Sequence, residues 1–180
     1  MNINQPDQEK KQPAHPGAGM FFSMWILLFI LLGYLFNNIL DNQHNPNNKD
    51  LSSVLANGAI ETVLERNRYG HYVVSGKINN HDVVFMLDTG ATDISIPEFQ
   101  ANRLGLSRGH KQTYQTANGK IGVYLTRLDT VAIGDIQLHN IKATINPHSQ
   151  SDDILLGMSF LKHLEFTQKG NQLIIRQYSN

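Results

Sequence analysis

The sequence of 180 residues contains no cysteine and no excess of charge of either sign. The lack of cysteine excludes disulfide bonds, thiolate zinc sites and a cysteine nucleophile, and it leaves folding independent of the redox state of the compartment. Lysine and arginine number 15, as do aspartate and glutamate, so charge gives no reason to expect nucleic acid as a partner. A chain of this length is expected to form one ordinary domain with accessory segments.

Several catalytic motifs are also lacking. The eight histidines form no His-x-x-x-His pattern, so no metal site is expected. Ser95 and Ser159 stand in no Gly-x-Ser-x-Gly motif, and there is no phosphate-binding glycine loop. No organic cofactor is expected either. Five aspartates near predicted turns are interpreted as solvated loop carboxylates: Asp93, Asp129, Asp135, Asp152 and Asp153.

One long apolar run stands near the N-terminus. Residues 20–36 carry no charge, and as a helix continued to Leu40 the run would span about 31 Å, near the thickness of the hydrocarbon core. A cleaved signal peptide is the alternative. However, residues 1–19 are long for its n-region, and residues 37–41 offer no small-x-small cleavage site. Residues 20–40 are therefore predicted to form a single transmembrane anchor.

The segments beside this anchor are polar. Residues 1–19 are predicted to be a flexible tail, and the asparagine-rich residues 41–60 a solvated linker, whose exposed stretch 42–49 is the natural place for self-processing. Lys10 and Lys11 precede the anchor whereas Asp41 follows it, so the positive-inside rule places the N-terminus in the cytoplasm. The folded part is then expected outside the cytoplasm.

Residues 61–180 read as an all-β domain, because short apolar runs alternate with turn residues. Residues 71–78 and 82–87 are predicted to form a hairpin through Asn79-Asn80, with Asp88 at its end. Short helices are predicted at 97–104 and from 159 to about 164. Further strands are predicted at 94–96, 114–116, 121–125, 128–133, 136–145, 154–156 and 173–175.

Asp88 is the most informative acidic residue. It stands between the apolar residues 83–87 and the turn residues Thr89-Gly90, so its carboxylate is expected at the edge of the core. Taken alone, an Asp-Thr-Gly string also fits an ordinary turn in which the aspartate accepts backbone hydrogen bonds. The surrounding residues decide between these interpretations.

Three motifs resemble those of one family. Residues 85–92 (Phe-Met-Leu-Asp-Thr-Gly-Ala-Thr) are similar to the catalytic strand and loop of the retropepsin-like aspartic peptidases, particularly their membrane-anchored bacterial members. Residues 154–161 (Ile-Leu-Leu-Gly-Met-Ser-Phe-Leu) look like the family's apolar-apolar-Gly strand and the helix after it. Residues 116–120 stand where the family has its flap hairpin. The resemblance covers about residues 61–178.

This resemblance implies an all-β, retropepsin-like acid-peptidase barrel with one or two short helices, and the activity of an aspartic endopeptidase on a polypeptide substrate. Asp88 would be the catalytic residue. The residues after it would support the catalytic loop: Thr89, Gly90, Ala91 and Thr92. The flap would be formed by Ala117, Asn118 and Gly119, for which a plain hairpin turn is the alternative. Leu156 and Gly157 would pack against the loop.

The same resemblance implies a homodimer. An aspartic peptidase needs two carboxylates that share one proton, but this chain has a single Asp-Thr-Gly. A twofold axis would bring two copies of Asp88 together. Residues 173–175 and a strand around residues 60–64 would supply the terminal strands of the interface. The expected setting is a bacterial inner membrane with the domain in the periplasm. The alternatives are a peptide-binding module that does not cleave, and a structural assembly domain.

Overall fold

The computed structural model describes residues 17–49, 52–116 and 119–178. The chain divides into two compact units, one ending at Ile39 and the other beginning at Leu40. Of the predicted tail, residues 1–19, the first 16 residues lie outside the described part of the chain. Its structure is therefore left as a prediction.

Helix α1 spans Ala18–His44, which contains the predicted anchor and extends it by two residues at the start and four at the end. The stretch Gly19–His44 is long and apolar enough to cross a membrane. Its length is about 40 Å at the rise of an α-helix, and such a helix satisfies its own backbone hydrogen bonds, as a membrane requires. The first unit thus fits a single transmembrane helix.

The second unit consists mainly of strands. Among its described residues, the short helices are α2 (Glu98–Arg103) and α3 (Met158–Leu161). In the described ranges the strands are β1 (Ser52–Val54), β2 (Ile60–Glu65), β3 (Val73–Ile78), β4 (His81–Leu87), β5 (Ile94–Pro97), β6 (Lys111–Thr116), β7 (Gly119–Ile133), β8 (Ile136–Asn146), β9 (Ile154–Leu156), β10 (Glu165–Lys169) and β11 (Gln172–Gln177).

The larger sheet has the strand order β3-β4-β9-β5-β8-β7-β6. A further pairing of β3 with β7 closes it into a barrel, which leaves β6 outside as the edge strand of a hairpin with β7. The β3–β4 hairpin forms as predicted, because Asn79 and Asn80 both adopt positive φ, at 47° and 66°. Asparagine tolerates this conformation, and two such residues in succession match the twist of a hairpin.

Parallel pairing within this sheet brings two separate chain segments together. Strand β4 pairs with β9 so that Leu87 lies opposite Leu156. The loop that follows β4 therefore lies beside the residues that follow β9. The core beneath them includes the fully buried side chains of Phe85, Ile94 and Phe160. Burial of each such side chain contributes roughly 1.5–3 kcal/mol, so the loop rests on well-packed core residues.

The smaller sheet has the order β1-β2-β11-β10. Strands β2 and β11, which were expected to supply the terminal strands of a dimer interface, pair with each other within one chain, as in Leu64 opposite Leu173. The sequence did not predict β1 or β10. Strand β10 (Glu-Phe-Thr-Gln-Lys) is exposed along its whole length, so it has no apolar alternation that would indicate a strand.

Two local differences from the prediction have clear causes. Residues 121–125 and 128–133 form one continuous strand, because Thr126 and Arg127 also pair with β8.

Part of the predicted polar linker, residues 41–60, is not a solvated tether. Asn45 and Asn47 are buried, with 8% and 1% of their surface exposed. Asn47 donates to the carbonyls of Glu65 and Val73 at 2.8 and 2.7 Å. Buried amides need such partners, so residues 45–47 belong to the domain.

Candidate active site

Asp88 begins the loop that follows β4. Its amide donates to the carbonyl of Leu156 at 3.2 Å, and its carboxylate Oδ1 accepts a hydrogen bond from the amide of Gly90 at 2.8 Å. The carbonyl of Asp88 accepts from the amide of Ala91 at 3.2 Å, which closes the turn. Asp88 is half-buried, whereas Thr89 and Gly90 are exposed. The loop thus presents one oriented carboxylate at its surface.

The segment after β9 braces the far side of this loop. The amide of Met158 donates to the carbonyl of Ala91 at 2.8 Å, and the amide of Ser159 donates to the carbonyl of Thr92 at 2.9 Å. Gly157 lies so close to the loop that a Cβ atom there would come within 2.6 Å of the Ala91 carbonyl oxygen. Only glycine permits this approach without displacing the loop. Leu156 is fully buried beneath it.

Ser159 has a structural role that the sequence did not indicate. Its hydroxyl oxygen accepts a hydrogen bond from the amide of Ile94 at 3.0 Å, in the buried region where β5 begins. A buried amide without a partner would cost roughly 1–3 kcal/mol. Ser159 therefore helps to fix the end of the Asp88 loop.

A cleft of about 450 Å³ separates this loop from the β6–β7 hairpin. Its lining comes from the loop, from the hairpin and from the strands between them, and includes Asp88, Thr92, Tyr114, Ile121, Val123 and Leu155. Of the predicted flap residues, Gly119 begins β7, while Ala117 and Asn118 lie outside the described residues. The hairpin and the Asp88 loop thus form opposite walls of one cavity.

Two of the five aspartates interpreted as solvated are in fact buried. Asp93 is only 5% exposed; its carboxylate accepts a short hydrogen bond from the hydroxyl of Tyr114 and lies 2.9 Å from the Nζ atom of Lys142. Asp153 is 6% exposed and pairs with His44 at 2.9 Å. The remaining three are exposed: Asp129, Asp135 and Asp152.

The pKa values around Asp93 are shifted. Burial raises the pKa of Tyr114, and its hydrogen bond to Asp93 raises it further. The hydrogen bond of Lys142 to Asp93 raises the pKa of Lys142, as does its bond to Tyr114. Tyr114 and Lys142 lie 21 and 49 residues from Asp93 in the sequence, so no local pattern could have indicated the cluster.

A closed β-barrel with an Asp-Thr-Gly loop, braced by a strand that is followed by glycine, defines the acid-peptidase class of fold. Residues 74–163 match the family model of the gag-polyprotein putative aspartyl protease. A crystal structure of a retropepsin-like aspartic protease from Rickettsia conorii is similar to this chain, with a TM-score of 0.59 and 34% identity over 66% of this chain and 92% of that one. The chain belongs to the retropepsin-like aspartic peptidase family.

Two bacterial relatives of uncharacterized function extend the comparison. A protein of Sinorhizobium sp is 34% identical over 114 residues, which are 62% of this chain and 49% of that protein. A protein of Rickettsia prowazekii (strain Madrid E) is 30% identical over 166 residues, which are 87% of this chain and 70% of that protein. The chain thus spans about half the length of the Sinorhizobium relative. The predicted family and fold class are confirmed.

Proposed function

We propose that this protein is a membrane-anchored aspartic endopeptidase that acts as a homodimer, with one copy of Asp88 from each chain. The observation that carries the proposal is the half-buried carboxylate of Asp88 in the wall of a cleft of about 450 Å³, which an extended peptide could enter beneath the β6–β7 hairpin. Family membership supports the reaction class.

The chemistry needs a second carboxylate. Two carboxylates a few ångströms apart share one proton, because both cannot ionise cheaply. The ionised one accepts a proton from water, the water oxygen attacks the peptide carbonyl carbon, and the other carboxylic acid donates its proton to the carbonyl oxygen. Each chain has one Asp-Thr-Gly, so a second copy supplies the partner. The exposure of Thr89 and Gly90 in the single chain is compatible with such contact.

The contacts of the neighbouring residues support the roles proposed for them. Thr89, Gly90, Ala91 and Thr92 hold the loop, since the carbonyls of Ala91 and Thr92 accept hydrogen bonds from the segment after β9. Leu156 and Gly157 pack against the loop. The turn that contains Ala117, Asn118 and Gly119 would act as the flap over a bound polypeptide.

Helix α1 would anchor the domain in a bacterial inner membrane. With the N-terminus in the cytoplasm, as the flanking lysines favour, the peptidase domain lies in the periplasm. Confinement to a membrane raises the effective concentration of the two chains, so even a weak interface could assemble there.

The full chain, purified in detergent, tests this function through cleavage of an unfolded protein between about pH 3 and 8. We expect Asp88→Asn to reduce the rate by roughly 10²- to 10⁴-fold, because the acid–base pair is lost. Asp135→Asn, which neutralises an exposed carboxylate in a turn, is the matched control and should keep full activity.

The homodimer is tested by mixing. Excess Asp88→Asn chain added to a fixed amount of wild-type chain should suppress the wild-type activity, because mixed dimers have one carboxylate. Unchanged activity would point to a monomeric enzyme. A folded, dimeric wild-type chain that binds peptides without cleaving them at any pH would instead support the peptide-binding module.

A further inference from the structure

Three polar side chains from separate elements meet at the side of the cleft. Asp93 follows the Asp88 loop, Tyr114 lies in β6 and Lys142 lies in β8. The Tyr114 hydroxyl donates to the Asp93 carboxylate, and Lys142 Nζ donates to the Tyr114 oxygen at 3.2 Å while lying 2.9 Å from the same carboxylate. Each of the three therefore contacts the other two.

Burial makes this cluster more than a surface ion pair. The Asp93 carboxylate is 5% exposed, so loss of Tyr114 or Lys142 would leave a buried charge with one of its two partners. The Tyr114 hydroxyl provides the connection, because it donates on one side and accepts on the other. The raised pKa values of Tyr114 and Lys142 keep the hydroxyl protonated and the ammonium charged throughout the neutral range.

The position of the cluster relates it to the cleft. Asp93 and Tyr114 both line the cavity that also contains Asp88. Within the described residues, β6 pairs only with β7 and is the edge strand of its sheet. An edge strand held on one side is free to move away from the cleft unless side chains tie it down. Tyr114 ties β6 directly to the segment that carries Asp88.

We propose that Tyr114, held between Asp93 and Lys142, is a positioning residue that fixes the base of the β6–β7 hairpin over the Asp88 loop. The cluster sets the width of the cleft before a peptide binds. A peptide that enters a fixed cleft does not have to order the hairpin, so the cluster favours binding more than the chemical step. The kinetic consequence rests on the proposed peptidase function, whereas the structural consequence does not.

The test uses the full chain with Tyr114→Phe, which removes only the hydroxyl, and separately Lys142→Gln. Tyr124→Phe is the matched control, because it removes a hydroxyl from the neighbouring strand of the same hairpin. Amide hydrogen exchange of residues 111–116 is measured in each protein, together with kcat and KM for a peptide substrate. We expect both test variants to exchange about three- to tenfold faster in this strand, as loss of one hydrogen bond predicts.

The kinetic expectation is a KM raised about three- to tenfold with kcat changed by less than about twofold. Exchange and KM equal to those of Tyr124→Phe would overturn the proposal. So would equal falls in kcat and kcat/KM with unchanged exchange, since these would indicate a role in the chemical step alone. If the wild-type chain cleaves nothing, the proposed function fails, and hydrogen exchange alone still decides whether Tyr114 holds the hairpin.

Discussion

Gly157 is the single residue on which the geometry of the site depends most directly, because its missing side chain lets the end of β9 approach the Asp88 loop. A Cβ atom there would come within 2.4 Å of the Asp93 carbonyl and 2.6 Å of the Ala91 carbonyl. We expect Gly157→Ala to lower the free energy of unfolding by roughly 1–3 kcal/mol through overpacking, and to abolish cleavage because the loop moves. Urea denaturation and a cleavage assay measure both effects.

Gly170→Ala provides the control for this prediction. Gly170 adopts a φ of 61° in the turn before β11, and a Cβ atom there would meet nothing within 4 Å. Its substitution should cost about 1–2 kcal/mol of backbone strain but leave cleavage by the folded fraction unchanged. Equal activity in the two variants would contradict the bracing role of Gly157.

The shifted pKa values of Tyr114 and Lys142 predict how the stability of the protein changes at alkaline pH. Their pKa values rise on folding from ordinary values of 10.0 and 10.5. A raised pKa contributes stability that is present below the unfolded value and is lost as pH rises through the folded value. We therefore expect the urea midpoint to fall above about pH 10. In Tyr114→Phe the urea midpoint should fall less steeply with pH than in the control Tyr124→Phe. Equal slopes in the two variants would contradict a contribution of Tyr114 to the pH dependence of stability.

At the scale of elements, Asn47 joins the segment after α1 to the barrel. Its side chain accepts from the amide of Glu65 at 2.7 Å and donates to the carbonyls of Glu65 and Val73. Asn47→Ala leaves these backbone groups without their partner, so we expect a loss of roughly 2–4 kcal/mol in urea denaturation. The neighbouring Asn48 is exposed, and Asn48→Ala should change stability by less than about 0.5 kcal/mol. Similar losses in both variants would contradict this role.

Asn47 also shows why the sequence predicts some elements and not others. The hairpin of β3 and β4 was predictable, since Asn79-Asn80 and two apolar runs carry the signal locally. An asparagine-rich stretch reads as solvated linker, because its amides find their partners only after the barrel has formed.

Dependence on contacts between distant residues also explains which features of the candidate site the sequence could predict. Asp88 and Gly157 lie in motifs that the sequence displays, whereas the burial of Asp93 depends on Tyr114 and Lys142, which are distant in the sequence. Strand β10 was missed for a related reason: its polar side chains are exposed, and its pairing with β11 supplies the order. Contacts between residues distant in the sequence thus determine the burial of Asp93 and the formation of β10, which the local sequence pattern does not indicate.

At the scale of the whole molecule, an anchored homodimer predicts how activity responds to dilution. In the proposed function, chains anchored by α1 would meet in two dimensions, so dimer formation would depend on chains per unit of membrane area and not on the volume of the suspension. With the full chain in liposomes, we expect tenfold dilution with buffer to leave the activity per chain unchanged. Addition and fusion of protein-free liposomes to give tenfold more lipid per chain should lower it. A fall on simple dilution with buffer would contradict anchoring, while activity insensitive to lipid would contradict a reversible dimer.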